Sequence, residues 1–336
     1  MFNKLLEDSV MWKTKITELF GIKYPIVEGA YAGFGTSALA APVSEAGGLG
    51  FITAGTLKTP EKLREDIRKA KSMTDKPLGV NLTVMMCDEI DKMREVSIEE
   101  GIPIIETAGF RADEHGERIK EAGVKWIHKV STVKHAIAAE KQGADAVHIV
   151  GLEGIGFKNI AQLPTLITAI ETARRIKSPL IIGGGIGNSR GFLAAMSMGA
   201  DAVGLGTALM ATEECPISDR VKQKILETNI EDPKVRRRCL TPPDSKEYEK
   251  VMKKRGQIPT SQWLRELELV MIKEPGEIVE NIPGYEFEDE VILRTGISLA
   301  ACFVDRVLTV KEFISNMVEE AEDIIKSGRI GWVPDQ

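Results

Sequence analysis

A chain of 336 residues, 43% hydrophobic, can bury one large core, enough for a single α/β barrel with a modest extra segment or for two smaller domains. The formal net charge of −6 excludes a global basic field for nucleic acid or an anionic membrane, and the run Arg236-Arg237-Arg238 reads as solvated helix surface. The four cysteines, Cys87, Cys215, Cys239 and Cys302, are scattered without a CxxC pair, which argues against a disulfide framework or a zinc site.

The opening stretch MFNKLLEDSVMWKTKI is charged throughout and has neither an apolar core nor a small-residue cleavage site. No apolar run of about 18 residues occurs, so no membrane-spanning helix is expected. These features predict a soluble cytoplasmic protein.

In chain order, one short pattern recurs through the first 207 residues: a helical stretch ends in Gly, and a β-branched apolar run follows. It stands at EAGGLGFITA (45–54), EEGIPIIETA (99–108), EAGVKWIHKV (121–130), KQGADAVHIV (141–150) and SMGADAVGLG (197–206). Gly just past a helix end takes the left-handed conformation that other residues resist, so each junction reads as a cap feeding a buried strand. The echo between QGADAVHI and MGADAVGL is what repetition of one αβ unit leaves behind. Strands are predicted at 24–28, 50–54, 78–82, 104–108, 125–129, 145–150, 179–183 and 201–205. Between the second and third, Thr59 reads as an N-cap with Pro60 at the first helical position, and Leu63, Ile67 and Ala70 share one face. Eight apolar strands alternating with helices predict a closed (β/α)8 TIM barrel rather than a doubly wound open sheet.

After residue 207 the sequence becomes charge-rich and helical in pattern. Residues 208–295 are predicted to form a helical insertion or lid, with the barrel assembled from 15–207 and 296–330. The stretch 295–328 reads as closing helices, with Phe313, Met317 and Ala321 in register on the last one.

The seventh strand runs into Gly183-Gly184-Gly185-Ile186-Gly187-Asn188-Ser189, and the eighth into Gly204-Leu205-Gly206-Thr207. Glycines let backbone N–H groups approach an anion, and Asn188 or Ser189 can cap a helix whose N-terminus points at it. In barrels these two loops are the usual phosphate site. Tight turns alone would explain one such loop, less readily both. With no P-loop and no dinucleotide fingerprint after the first strand, a mononucleotide or sugar phosphate is the expected ligand.

Several stretches together resemble the nitronate monooxygenase superfamily, which also holds FMN-dependent enoyl-acyl-carrier-protein reductases and NAD(P)H:quinone reductases. They are GIKYPIVEGAYAGFGTSALAAPVSEAGGLGFITAG (21–55), TDKPLGVNLTV (74–84), ETAG (106–109), VKWIHKVSTVKHAIAAEKQGADAV (124–147) and GGGIGNSRGFLAAMSMGADAVGLGTALMATEECPI (183–217). Residues from Asn81 to Lys129 look most like the quinone-reductase branch. The resemblance implies FMN as cofactor, with backbone at Gly29 and Ala30 beside the flavin ring. It implies that Asn81 bonds the ring or ribityl region and that Lys129 reaches the flavin's polar edge. The loops with Gly183, Gly184, Gly185, Gly204, Gly206 and Thr207 would cradle its phosphate. A cation beside the ring suits an anionic reduced flavin.

The departures bear on chemistry. The family's Glu-x-x-Gly-His after the sixth strand becomes Glu153-Gly154-Ile155-Gly156-Phe157, so Phe157 stands where the active-site histidine is expected. Val150 replaces a flavin-bonding residue, and Glu28-Gly29-Ala30-Tyr31 stands where Gln-Gly-Gly-Met is common. None of the four histidines is expected to substitute: His115 and His135 read as helix surface, His128 points away from the interior if Lys129 points in, and His148 reads as a satisfied core histidine below the mouth. Candidates for acid–base work are Glu28, Tyr31, Glu106 and Glu153, each equally able to be a structural group. No metal ligand set is expected.

The reading is therefore an FMN-dependent oxidoreductase transferring a hydride between flavin and an activated carbonyl-type substrate: an enone, enoyl thioester or acyl-CoA. The alternatives are a nitronate monooxygenase or NAD(P)H:quinone reductase and, from another class, a non-catalytic phosphate-ligand-binding barrel. Expected partners are a small-molecule substrate, a CoA thioester among the candidates, with NAD(P)H as a candidate donor. A homodimer is allowed; nucleic acid and membrane are not expected.

Overall fold

The structure is a computed structural model describing residues 12–31, 33–84, 87, 89–109, 111–155, 163–232, 235, 246–259, 262, 263, 266, 289 and 292–328. Strands β1 (Ile26–Glu28), β2 (Gly50–Thr53), β3 (Leu78–Thr83), β4 (Ile104–Ala108), β5 (Lys125–Val130), β6 (Ala146–Val150), β7 (Leu180–Gly183) and β8 (Ala202–Leu205) are all parallel. Their order is β1-β8-β7-β6-β5-β4-β3-β2, and a parallel bridge between Val27 and Leu49 joins its two ends. This is the predicted (β/α)8 barrel. Strand boundaries differ from the predicted ones by no more than two residues, most at β1. There the N–H groups of Lys23 and Tyr24 donate to Gly47 O at 3.0 and 2.8 Å instead of entering the ladder.

Helices α1 (Lys15–Phe20), α2 (Ser37–Glu45), α3 (Ala54–Leu57), α4 (Pro60–Met73), α5 (Ile90–Glu99), α6 (Asp113–Glu121) and α7 (Val133–Lys141) precede β6. Then come α8 (Thr165–Ala173), α9 (Ser189–Ser197), α10 (Thr207–Met210), α11 (Asp219–Leu226), α12 (Lys246–Lys253) and α13 (Val310–Lys326). The capping logic holds at α4: Thr59 Oγ1 accepts from Lys62 N, Pro60 opens the helix, and Leu63, Ile67 and Ala70 are buried. The junction glycines Gly47, Gly101, Gly123, Gly143 and Gly199 have φ of 98°, 66°, 75°, 87° and 98°, so each helix does stop on a left-handed residue.

Two cores result. Between strands and helices lies the larger, and α13 adds Val310, Ile314, Met317, Val318 and Ala321 to it; Phe313 packs on it half-buried. Inside the barrel is a smaller one, made of Val27, Leu49, Phe51, Ile104, Ile127, Ala146, Ile181 and Ala202, with Ile16, Phe20 and Ile22 packed from α1 and the turn after it. Burying each of the large side chains contributes about 1.5–3 kcal/mol. Phe51 is admitted because Gly79 lacks a Cβ, which would stand 2.3 Å from its ring. This layer sets what comes above it. Side chains alternate along a strand, so residues two positions downstream of the apolar layer also face inward, nearer the mouth.

Of 208–295, the described residues hold α11, α12 and a π-helical turn at Ile292–Gly296. Cys239 and Arg236-Arg237-Arg238 lie outside the described residues. Among those described, no helix is long and apolar enough to cross a membrane.

His128 faces outward, as its neighbour's inward orientation requires. It is 5% exposed, with Nδ1 2.8 Å from Thr107 Oγ1. Burial pushes its imidazole down from 6.5 to about 4. A depressed folded value means stability that is complete above pH 6.5 and is lost as pH falls toward 4, a total of about 3 kcal/mol. Urea unfolding of His128→Asn across that window is expected to show a correspondingly shallower decline than the natural chain. Parallel declines would contradict the assignment.

Candidate active site

Above the apolar layer sits a polar one contributed by β3, β4, β5 and β6. Asn81, Glu106 and His148 are 0%, 0% and 1% exposed. Glu106 is the hub: Asn81 Nδ2 donates to its Oε1 at 2.7 Å, Lys129 Nζ lies 3.4 Å from the same oxygen, and His148 Nδ1 is 2.7 Å from Oε2. Thr83 Oγ1 in turn donates to Asn81 Oδ1 at 2.8 Å, which fixes the amide's orientation. Burial pushes the Glu106 carboxyl up, but Lys129, His148 and Asn81 outweigh it and hold it at about 2. Burial and the Lys129 charge push His148 below its ordinary value, against the pull of Glu106, which favours the neutral imidazole at pH 7. An ionised carboxylate only accepts, which places the His148 proton on Nδ1 and leaves Nε2 as a lone pair. The Lys129 side chain is 18% exposed against 1% for Glu106, so the ammonium is the member of the layer that meets the mouth.

The glycine loops divide into two functions. Gly183 and Gly204 lie beside His148, and a Cβ at Gly204 would be 2.3 Å from its Nε2, one at Gly183 3.1 Å. Their missing side chains seat an imidazole, a reason that reading the sequence as a phosphate cradle did not supply. Gly184 and Gly185 take φ of 111° and 73°, turning the chain at the mouth. A Cβ at Gly206 would meet nothing within 4 Å, so this backbone borders open space. Gly29 packs edge-on to it, its would-be Cβ 3.2 Å from Gly206 Cα, and Ala30 beside it is half-buried. Asn188 Oδ1 accepts from Gly191 N at 2.8 Å, making it the N-cap of α9. Thr207 Oγ1 accepts from Ser298 N at 2.9 Å, tying the loop after β8 to the C-terminal segment.

The other acid–base candidates bond outside the Glu106 hub. Glu28, fully buried at the β1–β2 seam, accepts from Phe51 N at 3.0 Å, and among the described residues its Oε1 is the buried side-chain polar atom without a partner. Burial raises its carboxyl well above the usual range. Tyr31 donates from its hydroxyl to Gly206 O at 3.0 Å, tethering that loop. Tyr31→Phe is expected to lose about 1 kcal/mol of stability and to loosen the loop, seen as faster amide exchange at Gly206 and Thr207. Unchanged exchange would show that the tether does not hold it. Glu153 Oε2 accepts from Thr165 N at 2.7 Å and Thr165 Oγ1 at 2.6 Å, capping α8, whose own N-cap is Pro164. Phe157 lies outside the described residues.

The nitronate monooxygenase family model matches residues 13–320. The chain belongs to that family. Its members are oxidoreductases, flavin-dependent and typically with FMN. One relative, the Mycobacterium tuberculosis (3aS,4S,5R,7aS)-5-hydroxy-7a-methyl-1-oxo-octahydro-1H-indene-4-carboxyl-CoA dehydrogenase, is 32% identical over 220 residues, 65% of this chain and 61% of the relative. The match therefore spans less than two thirds of that protein's length. A probable nitronate monooxygenase of Staphylococcus saprophyticus is 30% identical over 65% of this chain and 74% of its own. Among solved structures, FabK from Thermotoga maritima superposes with a TM-score of 0.74 at 29% identity, covering 94% of this chain and 98% of that one. Two features present fit the family's cofactor, open space at Gly206 and a cation at the mouth held by a buried carboxylate, while the missing side chains of Gly184 and Gly185 make room for Thr165 and Glu153.

Proposed function

We propose that this protein is an FMN-dependent oxidoreductase that moves a hydride between flavin and an activated carbonyl-type substrate, a CoA thioester foremost. The observation that carries it is the Lys129 ammonium, held 3.4 Å from the buried Glu106 carboxylate and itself the more exposed of the two, in a barrel whose Gly206 backbone borders open space. FMN, when bound, supplies the hydride acceptor or donor. Backbone at Gly184, Gly185, Gly206 and Thr207 would hold its phosphate, with Gly29, Ala30, Asn81 and Lys129 toward the ring. Lys129 supplies positive charge that Glu106 and Asn81 keep in place. The name of the mycobacterial relative supports the thioester, as does Phe157 where the family's histidine is expected. We assign α11 and α12, the described helices of the 208–295 insertion, to a cover of the mouth, and the cytoplasm as the compartment.

The second reading, a nitronate monooxygenase or NAD(P)H:quinone reductase, is favoured by the staphylococcal relative. Anaerobic titration of the purified, FMN-loaded protein separates the two. Bleaching or recolouring of the flavin by acyl-CoA and enoyl-CoA, with little turnover of propionate-3-nitronate or of NADH plus benzoquinone, is expected. Brisk turnover of nitronate with no thioester response would reverse the preference.

A further inference from the structure

The polar layer contains one residue that the proposed chemistry leaves without a task. His148 is fully buried, donates from Nδ1 to Glu106 Oε2 at 2.7 Å, and lies in a slot made by the missing side chains of Gly183 and Gly204. Two strands give up a Cβ to admit this ring. A leucine could fill part of the space but could not donate, so the slot is built around a flat donor rather than around volume.

We propose that His148 is a positioning residue for the flavin site: by occupying Glu106 Oε2 it keeps the carboxylate from closing on Lys129 and leaves the ammonium free toward the mouth. The inference rests on the reading of the mouth as an FMN site. Glu106 Oε1 is already taken by Asn81 at 2.7 Å, and Lys129 stands back from it at 3.4 Å, outside the usual range for a tight charge-assisted bond. Oε2 is thus the oxygen still able to draw Lys129 inward, and His148 holds it. Without that donor a buried carboxylate oxygen is unsatisfied, and the neighbouring cation is its remedy. Lys129 would then turn from the mouth to Glu106, removing from the ligand the charge it needs.

The test is an FMN titration, followed by fluorescence, of the full-length chain stripped of cofactor, with His148→Leu and Lys129→Met alone and combined. His148→Leu is expected to raise the FMN Kd about tenfold in the natural background and less than about twofold when Lys129 is already Met, a double-mutant cycle with strong coupling. Asparagine places its amide nitrogen where Nδ1 stands, so His148→Asn should retain affinity within about threefold. Should His148→Leu not fold, His148→Gln replaces it, because its amide stands where Nε2 does and misses Glu106. Equal losses in both backgrounds, or no rescue by asparagine, would overturn the inference while leaving the FMN reading intact. A natural chain that does not bind FMN at all would overturn both.

Discussion

Replacing Glu106 with glutamine is expected to cost about 3 kcal/mol of stability and to lower kcat/KM about a hundredfold. The carboxylate is 0% exposed and receives three donors, so the amide must turn an N–H toward Lys129, His148 or Asn81, each of which is itself a donor there. Removing one partner of a buried pair leaves the other charge uncompensated, and that, rather than a lost bond, is the larger part of the cost. The acid limb makes the same point. Glu106 titrates at about 2 in the folded chain against an ordinary 4.5. A depressed carboxyl gives stability that is complete above pH 4.5 and lost as pH falls toward 2, so the natural chain should weaken through that window by up to about 3 kcal/mol. Glu106→Gln should be flat through it apart from the remaining carboxylates. Urea unfolding at pH 5 and at pH 3 checks this; an equal drop in both proteins would remove Glu106 from the centre of the layer.

Gly204→Ala should destabilise the barrel by about 2–3 kcal/mol, whereas Gly206→Ala should change stability by less than about 1. The two glycines belong to one motif but meet different surroundings. At 204 the new Cβ would fall 2.3 Å from His148 Nε2 and 2.7 Å from Cε1, so the ring must move and its bond to Glu106 must break. At 206 nothing lies within 4 Å, so the added methyl meets no neighbour. The functional prediction reverses the order of interest. Gly206→Ala should fold normally and bind FMN about tenfold more weakly, because its methyl enters the space where the backbone approaches the ligand. Thermal melts with and without FMN distinguish the two. A Gly206→Ala protein stabilised by FMN as strongly as the natural chain would show that this loop does not border the phosphate.

The barrel was legible in the sequence because its signals are local. Gly47, Gly101, Gly123, Gly143 and Gly199 each ends a helix by a rule that needs only the residue and its position. Strand limits follow the same apolar runs, and β1 is shorter only because Gly47, a residue distant in sequence, takes its first N–H bonds. The inward set was also legible, through alternation: Lys129 in and His128 out follow from one period-two choice. What alternation does not carry is partnership. Glu106 and His148 stand 42 positions apart, and nothing in either stretch says that Nδ1 meets Oε2. For the same reason Gly183 and Gly204 read as ligand-facing, when the imidazole opposite them already requires the missing Cβ. Glu153 and Tyr31 looked like chemistry by residue type, but they bond the start of α8 and the loop after β8, contacts that only the closed barrel creates.

A crystal structure of the FMN complex tests most directly where the cofactor sits. We expect its phosphate against the backbone of Gly184, Gly185, Gly206 and Thr207, and Lys129 Nζ within hydrogen-bond reach of the ring. FMN bound away from those loops, or a barrel mouth in which Lys129 touches Glu106 and no ligand atom, would contradict it.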